Sequence, residues 1–297
     1  MRILVSGASG LIGGALLPVL GESGHKVGRL VRRKDHVGEG DLAWDPAGGW
    51  IDRSGLEGAD AVVHLAGEPI FGRWTAAKMR RIVDSRVAGT KLLAESLAGL
   101  ARRPRVLVSA SGAHFYGDCG AEILTEDSAP GRGFLAETCQ AWEAATRAAT
   151  QAGIRVVLLR SGLVLSSAGG VLRVMLLPFR LGLGGPIGRG RAYWSWITLS
   201  DMIRVIEFAI QTDTVSGPIN TATPNPVTNA AFTRSLARAL HRPAWIPVPP
   251  FALRLVFGRA AANEVMLSST RLSPSRLLAS GFRFRYPELE SALGSRL

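Results

Sequence analysis

The sequence predicts an α/β fold: a doubly wound parallel sheet with a smaller C-terminal α/β lobe. Three observations predict it. Apolar runs of strand length alternate with helical periodicity over the first ~165 residues, the pattern of a sheet with helices on both faces. Each run is nearly continuous in hydrophobics, as strands covered on both sides require. A glycine-rich turn joins the first run to the first helical stretch.

The elements follow in order. Residues 3–6 form a buried strand, and residues 11–21 a helix in which Pro18 removes one backbone hydrogen bond. Residues 27–32 form the second strand. Residues 60–66 form a third or fourth, burying Val62, Val63 and Leu65. Residues 86–100 are helical, with Val87, Leu92, Leu93 and Leu97 on the apolar side. A strand at 105–109, a helix at 136–152 and a strand at 155–160 complete the rhythm. Residues 169–191 then join an amphipathic segment (Val171, Val174, Met175, Leu176) to a stretch rich in glycine. Prolines at 247, 249 and 250 precede a helical pattern through Phe257, and residues 281–286 alternate like a short strand. The predicted domains interleave: 1–168 with 196–222 returning to it, and 169–195 with 223–297 as the lobe.

The turn after the first strand reads Gly7-Ala8-Ser9-Gly10-Leu11-Ile12-Gly13. In the Rossmann form of the fold, such glycines allow a tight turn, close approach to a pyrophosphate and close packing of helix on strand. The helix N-terminus then offers free N–H groups to the phosphates. The strand before and the helix after support dinucleotide binding over a purely structural turn. An NAD site places Asp or Glu at the end of the second strand. This chain has Arg32 and Arg33 there, followed by Lys34. A guanidinium binds the 2′-phosphate of NADP bidentately, and Ser9 offers a further donor, so NADP(H) is expected over NAD. The other reading makes these arginines solvated surface charges.

Composition bounds the partners. Lys plus Arg number 35 and Asp plus Glu 23, a net charge of +12. Only Lys26, Lys34, Lys78 and Lys91 are lysines, and the arginines are scattered from end to end. With no helix-turn-helix, finger or basic-aromatic element, direct nucleic-acid binding is not expected. The 2 cysteines, Cys119 and Cys139, suit neither a disulfide scaffold nor a zinc site, and no metal is expected. Charges and prolines interrupt the longest apolar stretches, and no leader precedes the first strand. A soluble cytoplasmic protein with no membrane partner is expected.

The spacing of residues 7–13, of Asp60-Ala-Val-Val-His-Leu-Ala-Gly67, and of Ser109-Ala-Ser111 before Tyr116-Gly117 resembles the extended short-chain dehydrogenase/reductases. These are NAD(P)-dependent sugar epimerases and dehydratases. Within them the chain resembles an atypical "epimerase family" subgroup with a C-terminal extension. That likeness rests on Arg73-Trp74, Ser85-Arg86-Val87-Ala88-Gly89-Thr90, Trp142-Glu143, Gly184-Gly185-Pro186, Trp194-Ser195-Trp196-Ile197 and Asn220-Thr221-Ala222. The resemblance implies that the loops at 7–13, at Arg32 and Arg33, and at Leu65, Ala66 and Gly67 hold the cofactor. Arg86 and Ser109 are assigned to the same site. It also implies that the lobe closes over the nicotinamide end, and it is compatible with a homodimer.

The wider superfamily uses Tyr-x-x-x-Lys on one helix as its proton-transfer pair. With tyrosines only at 116, 193 and 286 and the last lysine at 91, the pair is absent. Alignment on Glu143 puts Leu135 and Cys139 in its place. The remaining catalytic candidates are Ser111, His114 and Tyr116. Each has a structural alternative: a loop-capping serine, a solvated histidine, a buried ring with a satisfied hydroxyl. Arg73 and Trp74 suit an anionic or planar substrate, and Trp194 an aromatic pocket wall. Two functions stay open: an NADP(H)-dependent oxidoreductase or epimerase acting on a small molecule with non-standard catalytic groups, or a non-catalytic NADPH/NADP⁺ sensor acting through a protein partner.

Overall fold

The computed structural model describes residues 1–32 and 37–294. The chain opens with β1 (Arg2–Ser6), α1 (Leu11–Glu22) and β2 (Lys26–Val31). β3 (Leu42–Asp45), β4 (Trp50–Ile51), α2 (Arg53–Leu56) and β5 (Ala61–His64) follow. Next come α3 (Ala76–Ala98), β6 (Val106–Gly112), a tight turn over Ala113–Tyr116 and β7 (Ile123–Leu124). α4 (Phe134–Ala144), α5 (Arg147–Gln151), β8 (Arg155–Ser161) and β9 (Leu163–Leu165) end the first half.

β1, β2, β3, β5, β6, β8 and β12 (Gly217–Thr221) run parallel in an eight-stranded sheet, and β4 adds to one edge antiparallel. The order is β12-β8-β6-β5-β1-β2-β3-β4, so the winding reverses between β1 and β5, where ligands of such sheets bind. Period-two alternation sorts the side chains to two cores. Ile3, Val5 and Val63 pack with Leu16 and Leu20 of α1, and with Met202 and Ile206 of α7 (Leu199–Gln211). Leu4, Val62 and Leu107 pack on the other face with Leu93 and Leu97 of α3.

The lobe has its own core. Leu172, Leu176 and Phe179 of α6 (Gly170–Arg180) meet Phe232 and Leu236 of α8 (Asn229–Leu240) and Leu289 and Leu293 of α12 (Leu289–Gly294). Trp194 of β10 (Tyr193–Trp194) and Trp196 of β11 (Trp196–Thr198) complete it. β13 (Val227–Thr228) pairs with β10. α9 (Pro250–Phe257), α10 (Arg259–Ala261), a π-helical turn at Ala262–Met266, β14 (Arg271–Leu272) and α11 (Ser275–Ala279) make up the rest. No helix among the described residues is long and apolar enough to cross a membrane.

Several boundaries differ from the sequence reading. The helix expected at 86 begins at Ala76, because Thr75 caps it by accepting from Lys78 N at 3.2 Å. The helix expected over 136–152 breaks in two, and Thr146 Oγ1 turns back to donate to Glu143 O at 2.7 Å. The strand expected to stop at 109 continues to Gly112. The β3–β4 hairpin was not foreseen. Residues 281–286 form no strand: Arg285 N and Tyr286 N donate to the buried Asp201 carboxylate of α7 at 2.9 and 3.0 Å instead of to a neighbouring strand.

Candidate functional site

The site starts where β1 ends. Gly7 holds φ at +70°, and a Cβ there would meet the Leu65 carbonyl at 2.7 Å, so only glycine lets this loop pass the end of β5. A Cβ on Gly13 would lie 2.4 Å from Gly7 O, which is how closely α1 presses on the turn. Gly10 N donates to Gly7 O at 2.9 Å and closes it. Gly10 then caps α1 without a side-chain acceptor, and the first turn holds no acidic residue. The N–H groups at Leu11 and Ile12 therefore have no side chain competing for them, and the helix dipole favours an anion there. Ser9 is exposed beside the turn.

The other predicted cofactor residues surround this cradle to different degrees. Arg32 is exposed just past β2. Arg33, the second predicted phosphate ligand, lies outside the described residues. Leu65 N reaches back to Ser6 O and Ser6 Oγ at 3.3 and 3.2 Å, holding the Leu65, Ala66 and Gly67 loop against β1. Arg86 rises from α3 behind Gly67 and donates to Glu68 O at 2.9 Å and Ile82 O at 3.1 Å. Its guanidinium lies over the Trp142 ring, 4.9 Å from the centroid, and burial pulls its pKa down. Arg86 thus holds the loop in place. Ser109 sits inside β6, fully buried, and its hydroxyl donates to the adjacent Ala110 O at 3.4 Å.

The catalytic candidates separate. Ser111, inside β6 rather than after it, donates to Glu143 Oε1 at 2.7 Å. Glu143 also accepts from Arg160 Nε and Nη2, each at 2.9 Å. Arg160 Nη1 donates to the Tyr116 hydroxyl at 2.9 Å, and that hydroxyl donates to Asn220 Oδ1 at 2.8 Å. Tyr116 is 1% exposed, and burial pushes its phenol pKa up against the pull of Arg160. Its hydroxyl is bonded on both sides within the protein, the arrangement of a buried ring with a satisfied hydroxyl. Arg160 and Asn220, which hold the network, were not singled out from sequence. Their signal was a polar residue closing an otherwise apolar strand, as in Val156-Val157-Leu158-Leu159-Arg160.

His114 is placed differently. It lines a cavity of about 610 Å³ between the carboxyl end of the sheet and the lobe, together with Ser161, Gly162, Phe71 and Trp194. Burial, reinforced by the Arg86 charge, pulls its pKa down to about 4, so the ring is neutral at pH 7. Trp194 is the predicted substrate residue that reaches this wall, with its ring 5.2 Å from Phe232. Arg73 and Trp74 do not line it. Arg73 is exposed, and Trp74 donates to Ile70 O at 2.7 Å and packs edge-on against Phe134. Leu135 and Cys139, in place of the tyrosine and lysine, are both buried, and burial pushes the Cys139 thiol up to about 12. Among the described residues, no group of His, Cys, Asp or Glu is arranged to hold a metal ion.

A glycine cradle at the reversal point of a doubly wound sheet, under an appended lobe, defines a dinucleotide-fold protein of the extended short-chain dehydrogenase/reductase type. The chain belongs to the NAD dependent epimerase/dehydratase family, whose model matches residues 3–222. A domain of unknown function (DUF1731) matches residues 248–295, which is the C-terminal extension. The chain is 43% identical over 295 residues to epimerase family protein Mb2239 of Mycobacterium bovis, covering 98% of this chain and 96% of that one. The crystal structure of human epimerase family protein SDR39U1 (isoform 2) with NADPH is 36% identical, with a TM-score of 0.91 over 99% of this chain and 98% of that one. A nucleoside-diphosphate sugar epimerase from Corynebacterium glutamicum is also 36% identical, with a TM-score of 0.82, over all of this chain and 59% of that one.

Proposed function

We propose that this chain is an NADP(H)-dependent oxidoreductase that binds its dinucleotide across the β1–β5 reversal point. The observation that carries the reading is the N-terminus of α1, whose first N–H groups have no side-chain cap inside a cradle that admits only glycine at Gly7 and Gly13. The NADPH-bound human relative supports the choice of cofactor. In this reading the 7–13 turn holds the diphosphate, and Arg32 holds the 2′-phosphate. The Leu65, Ala66 and Gly67 loop, braced by Arg86, lines the path toward His114.

When bound, NADPH supplies a hydride. The chain's part is to seat a carbonyl beside His114 and polarise it. A histidine held neutral donates a hydrogen bond to the carbonyl oxygen without giving up its proton. The carbonyl carbon gains the hydride, its oxygen takes a proton from water, an alcohol forms and NADP⁺ leaves. Ser111, bonded to Glu143, stiffens the strand beneath. A sensor without turnover is the second reading, favoured by the burial of Leu135 and Cys139 where the proton-transfer pair would stand.

Titration calorimetry tests the binding. NADPH is expected to bind more tightly than NADH, and Arg32→Asp to weaken NADPH by about tenfold or more, the scale of one charge-assisted contact, while sparing NADH. Equal losses for both dinucleotides would remove the 2′-phosphate assignment. Absence of heat with either would remove the function. NADPH binding without oxidation by any carbonyl compound would favour the sensor.

A further inference from the structure

We infer that the cavity beside His114 takes an uncharged, largely apolar carbonyl compound and not a nucleoside diphosphate sugar. The inference rests on the dinucleotide reading above for the word carbonyl, and on the cavity alone for the rest. At about 610 Å³ the space is that of a small-molecule site. Its walls come from α6, α9 and the loop after β5, through Phe71, Val174, Met175, Phe179, Leu253 and Phe257. Among the described residues lining it there is no lysine, arginine, aspartate or glutamate.

The few polar groups on the walls are mostly committed elsewhere. Ser195 Oγ donates to Thr270 O and accepts from Leu272 N, both at 2.8 Å. Ser268 Oγ donates to Glu264 O at 2.7 Å, and Ser161 Oγ lies between Leu159 O and Thr221 Oγ1. His114 is held uncharged at neutral pH. Asn229 is 1% exposed on this wall, accepts from Ile187 N at 2.7 Å, and keeps Nδ2 buried without a partner. The described walls thus offer His114 and the neutral polar groups of Tyr193, Trp194 and Thr270, and are otherwise mainly hydrocarbon.

That donor set decides between ligand classes. A diphosphate brings two negative charges that would be buried here without a cation, a cost of several kcal/mol. A hexose adds hydroxyls that would face Val174, Phe179 and Leu253 unpaired. An aliphatic or aromatic ketone or aldehyde leaves nothing unpaired: its chain lies on the apolar wall, and its one oxygen accepts from a neutral donor.

The test uses the full chain and two probes, 2-undecanone and UDP-glucose, with binding read by calorimetry in the presence and absence of NADPH. Val174→Asp places a carboxylate on the wall from a position that is 50% exposed, so folding is not the issue. The ketone is expected to bind and UDP-glucose not to. Val174→Asp is expected to weaken the ketone by about tenfold or more while leaving NADPH affinity unchanged, which also reports an intact fold. UDP-glucose binding more tightly than the ketone would overturn the inference. So would ketone affinity indifferent to Val174→Asp. Failure of the dinucleotide reading looks different: NADPH gives no heat in the unaltered chain, while the ketone still binds.

Discussion

Replacing Arg160 by Met is expected to cost about 3–5 kcal/mol of stability, the range for breaking a buried ion pair from one side. Arg160 is 5% exposed and stacks on Phe115, 3.5 Å from the ring centroid. It donates twice to Glu143, once to Tyr116 and once to Glu126 O. Removing it leaves the Glu143 carboxylate, nearly sealed at 11% side-chain exposure, with only the Ser111 hydroxyl. Glu143→Leu is expected to cost a similar amount by stranding the guanidinium. The double variant is expected to cost less than the sum by about 1–3 kcal/mol, because neither charge is then left alone. Urea denaturation of the four proteins measures the coupling. Strictly additive losses would mean that the two groups do not depend on each other.

That network also marks the limit of what the sequence conveys. The glycine turn and the first two strands are local or periodic signals, and each could be read from consecutive residues. Glu143, Arg160, Tyr116 and Asn220 are 17 to 104 positions apart along their bonds, and no local pattern brings the four together. In a chain whose basic residues are nearly all arginine, Arg160 looks like the rest. The 281–286 alternation is a true signal with a different meaning. It puts Phe282 and Phe284 on the core beside α7, where Phe208 and Phe282 rings stand 5.4 Å apart, but no strand edge is there to pair with. Periodicity reports which side chains are buried, not which backbone groups meet.

The apolar cavity was half legible. Val171, Val174 and Met175 at helical spacing announced an amphipathic segment, and Trp194 was assigned to a pocket wall. The contributions of Phe71, Leu253 and Phe257 were hidden, because the loop after β5 and α9 meet α6 only in the folded chain. The motifs that pointed to an anion, Arg73 and Trp74, sit outside it. This is why sequence likeness to sugar-nucleotide enzymes and the chemistry of the cavity lead to different substrates.

Lowering the pH from 6.5 toward 4 is expected to destabilise the protein, with His64 alone contributing about 3 kcal/mol. His64 is fully buried in β5, edge-on to Trp44, and burial pulls its pKa from 6.5 to about 4. Both ring nitrogens face hydroxyls: Nε2 lies 2.9 Å from Thr90 Oγ1, which accepts from Trp142 Nε1 at 2.8 Å, and Nδ1 lies 2.6 Å from Ser6 Oγ, which accepts from Leu65 N at 3.2 Å. A doubly protonated ring would have to donate to both hydroxyls, with no carboxylate bonded to it. The sign follows: the unfolded chain takes up a proton below pH 6.5 that the folded chain refuses until about 4. The contribution is therefore complete above 6.5 and is lost as the pH falls through that window. His114, also held near 4, acts in the same direction. Denaturation midpoints measured across the window should fall less steeply for His64→Gln than for the unaltered chain, whatever the variant costs at pH 7.5. Identical slopes would mean that His64 charges as readily inside the sheet as in water.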